Sequence, residues 1–159
     1  MALPGKLVSV WIDMEERAMA GMHRIGMRTG LSPIIAPHLR TGLLGERAAM
    51  FELLRRGVVV VARRWTSTRM RGDIDLIGWD GDALCFFEVK TRTAKDMRPA
   101  EWAVDETKRR MVRGLARAYL RNFPEKDRRT IPVRFDVISV YMVGGAKEFE
   151  FFPNAFGWS

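Results

Sequence analysis

The sequence predicts an α/β protein with the element order helix, three strands, helix, two strands (α-β-β-β-α-β-β). Apolar residues recur at helical spacing between residues 41 and 57 and again between residues 100 and 122. An Asp-Gly-Asp turn at residues 80–82 is typical of a β-hairpin. Runs that are β-branched or alternate between apolar and polar residues predict the strands, at residues 58–62, 73–79, 83–91, 133–143 and 147–152.

The first predicted helix begins near Thr41 and ends at Gly57, which follows two arginines. Its apolar stripe is Leu43, Leu44, Ala48, Phe51 and Leu54. Val58 to Ala62 is a β-branched run suited to a buried strand, whereas residues 63–71 are polar and basic and fit a loop or a strand end.

The second predicted helix runs from about Ala100 to Asn122, and Pro124 ends it. Its apolar face consists of Met111, Val112, Leu115, Ala118 and Tyr119. Gly144-Gly145 then predicts a turn between the last two strands.

The 159 residues fit one globular domain from residue 41 to 159, preceded by an N-terminal extension of uncertain order at residues 1–40. No apolar run approaches the roughly 18–20 residues that span a bilayer. The single cysteine, Cys85, suits a reducing compartment and, within its apolar strand, is expected to be buried and inert. These features predict a cytoplasmic protein without a membrane partner.

The formal net charge is +8, and its distribution is uneven. Lys90 to Arg134 holds 14 basic and 6 acidic residues, so this segment carries the whole excess and the rest of the chain is balanced. Phosphate backbones attract such segments, as do anionic membrane surfaces. Surplus arginine that merely solvates the surface is the simpler alternative.

Acidic residues within the central hairpin suggest a chemical site. Because alternate side chains share a strand face, Asp73 and Asp75 point one way, and so do Glu88 and Lys90. Closing the hairpin at residues 80–82 brings Asp75 opposite Glu88, where like charges need a compensating cation such as Mg²⁺ or Mn²⁺. Lys90 could then neutralise a phosphate or orient a water. A solvated acidic hairpin is the alternative, but the apolar residues around Glu88 favour burial.

This D…E-x-K arrangement is that of the PD-(D/E)xK nucleases, and further motifs extend the likeness. They are Gly45-Glu46, G-D-I-D-L-I at 72–77, F-x-E-V-K-T-R at 86–92, A-V-D-x-x-K at 103–108 and R-F-D-V at 134–137. From residue 41 to 143 the sequence resembles the YraN family of uncharacterised bacterial proteins. That family looks like restriction-endonuclease-fold nucleases related to archaeal Holliday junction resolvases.

The resemblance implies a restriction-endonuclease-like central mixed β-sheet flanked by helices, so that residues 41–159 form a nuclease-like domain. It implies catalytic roles for Glu46, Asp75, Glu88 and Lys90, with the three acids as ligands of Mg²⁺ or Mn²⁺. Glu46 could instead be an exposed acid favoured by the helix dipole. Asp73 stands where the family usually has a glutamate, so Asp75 is preferred to Asp73 as a ligand.

Five basic residues are candidates for contacts with backbone phosphates: Arg92, Lys108, Arg109, Arg113 and Arg117. The solvated face of an amphipathic helix is the alternative for those between 108 and 117.

The predicted function is that of a metal-dependent endonuclease acting on DNA, with branched or damaged DNA among the candidate substrates. The alternatives are a catalytically silent nucleic-acid-binding protein of the same fold and a module that binds proteins or membrane surfaces. A resolvase-like role would favour a homodimer, because two symmetric strands must be cut.

Overall fold

A computed structural model of the chain describes residues 5–28, 37–93 and 105–159. Within these ranges the helices and strands are, in chain order, α1 (Gly5–Arg28), α2 (Pro37–Arg55), β1 (Val59–Ser67), β2 (Met70–Asp80), β3 (Ala83–Arg92), α3 (Glu106–Leu120), α4 (Glu125–Arg128), β4 (Val133–Val143) and β5 (Ala146–Phe156).

The five strands form one mixed sheet whose spatial order follows the chain order. All neighbours are antiparallel except β3 and β4, which are parallel. Parallel neighbours need a crossover connection, and α3 lies within it. The predicted α/β class, with a mixed sheet flanked by helices, is therefore confirmed.

Helices cover both faces of the sheet. Phe86 and Phe87 point to opposite faces of β3, because successive side chains alternate in a strand. Phe86 packs in the same core cluster as Leu115 of α3, while Phe87 belongs to the cluster that holds Leu53 of α2. Burying a phenylalanine contributes roughly 2–3 kcal/mol, so each face of β3 anchors one helix to the sheet.

Several element boundaries differ from those predicted. The first predicted helix begins at Pro37, earlier than Thr41, and β1 continues through the basic segment to Ser67 because β2 pairs with it. The final strand likewise extends to Phe156, since β4 pairs with it. The predicted start of the second helix near Ala100 lies outside the described residues, and α3 is observed from Glu106.

Helix α1 contacts α2 and the edge strand β5. Arg55 Nη2 donates to Asp13 Oδ1 over 2.8 Å, and Lys147 Nζ donates to Glu16 Oε1 over 2.6 Å. Ile12 is buried in the same contact region. Among the helices at residues 5–28, 37–55, 106–120 and 125–128, none combines the length and the apolar character needed to cross a bilayer.

The R-F-D-V segment ties the turn between β2 and β3 to the last two strands. Arg134 Nε lies 2.9 Å from both oxygens of the buried Asp136, and Arg134 Nη2 donates to Asp80 over 2.7 Å. The backbone N–H of Asn154 donates to Asp136 over 2.8 Å. Asp136 pairs in register with Phe87 and so lies on the α2 face of the sheet.

We expect Asp136→Ala to lower the free energy of unfolding by about 1–3 kcal/mol, because it leaves the partly buried N–H of Asn154 and the Nε of Arg134 without their acceptor. Urea denaturation measures the change, with Glu125→Ala on the exposed surface of α4 as the control. An equal loss in both variants would contradict the structural role of this network.

Candidate active site

Asp75 and Glu88 lie side by side at the point where β2 and β3 stop pairing. The last ladder pair is Leu76 with Phe87, and the next residue on each strand is one of the two acids. The backbone N–H of Val89 donates to Asp75 Oδ2 over 2.7 Å, so the Asp75 side chain takes the place of a ladder bond. The two residues are only 8% and 4% exposed. Two carboxylates thus share one nearly dry position.

Two lysines hold the carboxylate of Glu88. Lys90 Nζ donates to Glu88 Oε1 over 2.9 Å, and Lys108 Nζ lies 2.9 Å from Glu88 Oε2. Lys90 comes from the same strand, two residues on, whereas Lys108 comes from α3. Hydrogen bonds between charged groups are stronger than those between neutral groups. The sequence placed Lys90 on the Glu88 face of β3, but it did not predict that Lys108 reaches Glu88.

Lys108 reaches the site because of how α3 begins. The carboxylate of Asp105 caps the helix and accepts the backbone N–H of Lys108 over 2.8 Å. This cap fixes the direction of the first turn, in which Lys108 projects towards β3. The D-x-x-K spacing was the signal for this arrangement, although sequence reasoning assigned Lys108 to phosphate contacts instead.

Glu46 joins the site from α2, next to the position where the helix packs tightly against Thr91 of β3. A Cβ added at Gly45 would overlap the Thr91 side chain, so only glycine allows this approach. Glu46 Oε2 is buried and has no hydrogen-bond partner among the described residues; Arg64 Nε is 3.8 Å away. Glu46 is therefore not the exposed helix acid of the alternative interpretation.

We expect Gly45→Ala to lower the free energy of unfolding by about 1–3 kcal/mol, because the new methyl group forces α2 away from β3. Thr91→Ala removes the atoms it would meet first, so the double variant should recover part of this loss. Thermal unfolding of both single variants and the double variant measures the coupling. Purely additive losses would show that the helix does not approach Thr91 as closely as described.

Burial perturbs the charged groups of the site. Burial and then the charge of Glu88 raise the pKa of Asp75 to about 7, although the Val89 N–H and Lys108 oppose this. Burial also raises the pKa of Glu46; Arg64 offsets the shift in part, while Asp73 and Glu88 add to it. Burial alone would lower the pKa of Lys108, but Glu88 raises it overall. Burial is the largest influence on the pKa of each of these three groups.

Asp73 lies at the rim of the site. It is half-buried and accepts from Arg64 Nε over 3.4 Å. Within residues 5–28, 37–93 and 105–159, no three Asp, Glu, His or Cys side chains converge closely enough to form a ready metal-binding group. The acids are gathered, but lysines occupy the oxygens of Glu88.

The remaining basic candidates are spread along α3 and β3. Arg113 is buried, and its guanidinium donates to the carbonyls of Gly157 and Ser159 and to Glu106. Arg109 and Arg117 lie over the rings of Phe156 and Trp158, at 5.6 and 5.2 Å. Arg92 is half-buried beside Tyr141 in the parallel register of β3 and β4. Since Arg113 is fully engaged in the fold, we leave it out of any proposed interface.

Cys85 is buried at the centre of β3 and takes no part in this site. Burial, and then the charge of Asp136, raise the pKa of its thiol to about 11. The thiol is therefore protonated at neutral pH, which agrees with its expected inertness.

Fold and site together define a class of protein: a mixed sheet between helices, with buried acids and lysines gathered where two of its central strands separate. Residues 45–140 match the model of the uncharacterised protein family UPF0102, and the chain belongs to this family.

Relatives of this family share most of their length with the chain. A UPF0102 protein of Koribacter versatilis is 44% identical over 119 residues, which cover 75% of this chain and 80% of the relative. One of Solibacter usitatus is 42% identical over 106 residues, covering 67% and 78%. One of Porphyromonas gingivalis is 36% identical over 124 residues, covering 77% and 87%.

Proposed function

We propose that this protein is a metal-dependent endonuclease of the PD-(D/E)xK type, with a restriction-endonuclease-like fold, that hydrolyses phosphodiester bonds in DNA. The observation that carries the proposal is the pair of buried carboxylates, Asp75 and Glu88, with Glu46 from a third element close enough to interact electrostatically with both. The resemblance to the YraN family, which looks like such nucleases, supports the same assignment.

The donor set fits Mg²⁺ or Mn²⁺, because these hard ions prefer carboxylate oxygens. Glu46 Oε2 is buried without a hydrogen-bond partner among the described residues, so it could accept an ion without losing a hydrogen bond to them. Burial, and then the charge of Glu88, raise the pKa of Asp75, and a bound cation would favour its charged form. Glu46, Asp75 and Glu88 would hold the ion, which would neutralise phosphate charge and make a nearby water more acidic.

The lysines supply the chain's own contribution to the reaction. Both Nζ atoms lie 2.9 Å from a Glu88 oxygen, so they could contact a phosphate bound at these acids. Positive charges held in position stabilise the negative charge that develops on the phosphate oxygens. Lys108 is half-buried, which strengthens its field because less water surrounds it.

A catalytically silent nucleic-acid-binding protein is the second candidate, and one observation favours it. Lys90 and Lys108 already occupy both oxygens of Glu88, and the described part of the chain holds no preformed three-ligand group. In this interpretation the two lysines neutralise Glu88 in place of a metal ion. The acids and lysines then stabilise the fold without catalysing hydrolysis.

The test is to incubate the protein with labelled linear, flapped and four-way-junction DNA in Mg²⁺ or Mn²⁺, beside Glu88→Ala and Lys90→Ala. Cleavage that is lost in both variants and in a chelator would establish the nuclease and its preferred substrate. Salt-sensitive binding without cleavage of any substrate would support the silent binding protein. Preference for the junction would require two active sites, so sedimentation of the active species would then test the predicted homodimer.

A further inference from the structure

The hairpin formed by β1 and β2 carries a second concentration of positive charge, next to the carboxylates but outside the segment with the charge excess. Residues 63–71 contain four arginines and no acid. All four, Arg63, Arg64, Arg69 and Arg71, are exposed. A charge run on a surface is often only solvated, so the surroundings of these side chains decide its meaning.

The hairpin charges are weakly neutralised within the described part of the chain. Arg64 makes long contacts, 3.4 Å to Asp73 and 3.8 Å to Glu46, and the other three arginines make no ion pair with described residues. By contrast, carboxylates 2.8 Å from Arg113 and 2.7 Å from Arg134 neutralise those guanidinium groups.

The hairpin is anchored firmly to α3. The rings of Trp65 and Tyr119 meet edge to face, with centroids 5.3 Å apart. Met70 packs against Gly114, where an added Cβ would overlap it, and Met111 packs in the same way against Gly72. Methionines that fill the space over glycines bring the hairpin and the helix into close contact. The arginines therefore project from a fixed support, which lowers the entropic cost of binding.

Arg64 connects this surface with the carboxylate site. Its φ of 45° is unusual for a residue with a side chain and costs roughly 1 kcal/mol. It breaks the strand alternation, so that Arg63 and Arg64 are both exposed. With a rise of about 3.3 Å per residue, the tip of the hairpin lies roughly 13 Å beyond Arg64. The basic surface thus begins at the acids and leads away from them.

We propose that this hairpin binds the backbone phosphates of the duplex DNA that flanks the carboxylate site. The inference rests on the proposed function, which supplies DNA as the partner, and on charge complementarity with phosphate. Arg64 contacts the phosphate nearest the acids, and Arg63, Arg69 and Arg71 contact phosphates further along. Such contacts position the DNA without reading its sequence.

The test compares two triple variants with the same change in charge. Arg63→Gln/Arg69→Gln/Arg71→Gln removes three hairpin charges and leaves Arg64 beside the acids. Arg121→Gln/Lys126→Gln/Arg129→Gln removes three exposed charges beyond the other end of α3. Binding of a labelled 20-base-pair duplex is measured in chelator by fluorescence anisotropy, over a range of salt concentrations.

We expect the hairpin variant to bind at least ~10-fold more weakly at about 0.1 M salt, and its log–log salt slope to fall by about 2–3. The control should change less than ~3-fold. Arg63→Lys/Arg69→Lys/Arg71→Lys keeps the charge and should retain the affinity of the wild type. Equal losses in the two glutamine triples, or a lysine triple as weak as the hairpin glutamine triple, would overturn the proposal.

Measuring both DNA binding and DNA cleavage distinguishes this inference from the proposed function. If the wild type cleaves no DNA in Mg²⁺ or Mn²⁺ but the hairpin triple alone loses affinity, the hairpin assignment stands and the nuclease assignment falls. If the wild type cleaves DNA and the hairpin glutamine triple binds and cleaves DNA as well as the wild type, the nuclease assignment stands and the hairpin assignment falls.

Discussion

Glu88→Gln is expected to lower the rate of DNA cleavage by about 10²–10³-fold while DNA affinity is kept or slightly increased. The substitution preserves the shape of the side chain but removes the charge that Lys90 and Lys108 both contact. It also removes one of the three carboxylates available to a divalent ion. Because glutamine makes the site more positive, attraction to phosphate should not decrease.

Single-turnover cleavage and anisotropy binding, measured on the same substrate, separate these two effects. Glu125→Gln, at an exposed position in α4, removes an equal charge far from the acids and serves as the control. A Glu88→Gln protein that cleaves at the rate of the control would place the chemistry elsewhere in the chain. A parallel loss of affinity and rate would indicate that Glu88 maintains the fold of the site without a direct part in cleavage.

Asp75→Asn is expected to stabilise the metal-free protein above neutral pH. The pKa of Asp75 is raised from 3.8 to about 7. Below the lower value the carboxyl is protonated in the folded and unfolded states and has no effect. Between the two values only the unfolded state loses the proton, so the wild type loses stability as the pH rises, and above about 7 the loss is constant.

The expected difference between Asp75→Asn and the wild type reaches about 2–4 kcal/mol at pH 8 and nearly vanishes at pH 4. Asparagine can still accept the Val89 N–H, so that hydrogen bond is retained. Urea denaturation in chelator between pH 4 and 8.5 measures the difference. Asp82→Asn, at the exposed turn between β2 and β3, removes the same charge and serves as the control.

Divalent ions extend this test. If Asp75 binds Mg²⁺ or Mn²⁺, either ion should stabilise the wild type at pH 8 more than the Asp75→Asn variant, because binding to the folded state shifts the unfolding equilibrium. Equal stabilisation of the two proteins would argue against Asp75 as a ligand. If the stability difference between the wild type and Asp75→Asn did not change with pH, the Asp75 carboxyl would not be held in its protonated form in the folded state.

The sequence by itself determined the local features of this protein. The Asp-Gly-Asp turn and alternating apolar residues predicted the hairpin of β2 and β3, which brings Asp75 beside Glu88. Strand alternation also placed Lys90 on the Glu88 side of β3. These inferences succeeded because pairing across a short turn depends on residues close together in the chain.

Only the tertiary structure decided which side chains distant in the sequence belong to the site and which do not. Lys108 enters it because Asp105 caps α3, and Glu46 enters because Gly45 lets α2 approach Thr91. Arg113 belongs to the same basic helix face in sequence, yet it is buried in contacts with the end of β5 and beyond. Helical spacing predicts which face of a helix carries a residue, but not which element packs against that face. Helix packing depends on contacts between residues far apart in the chain.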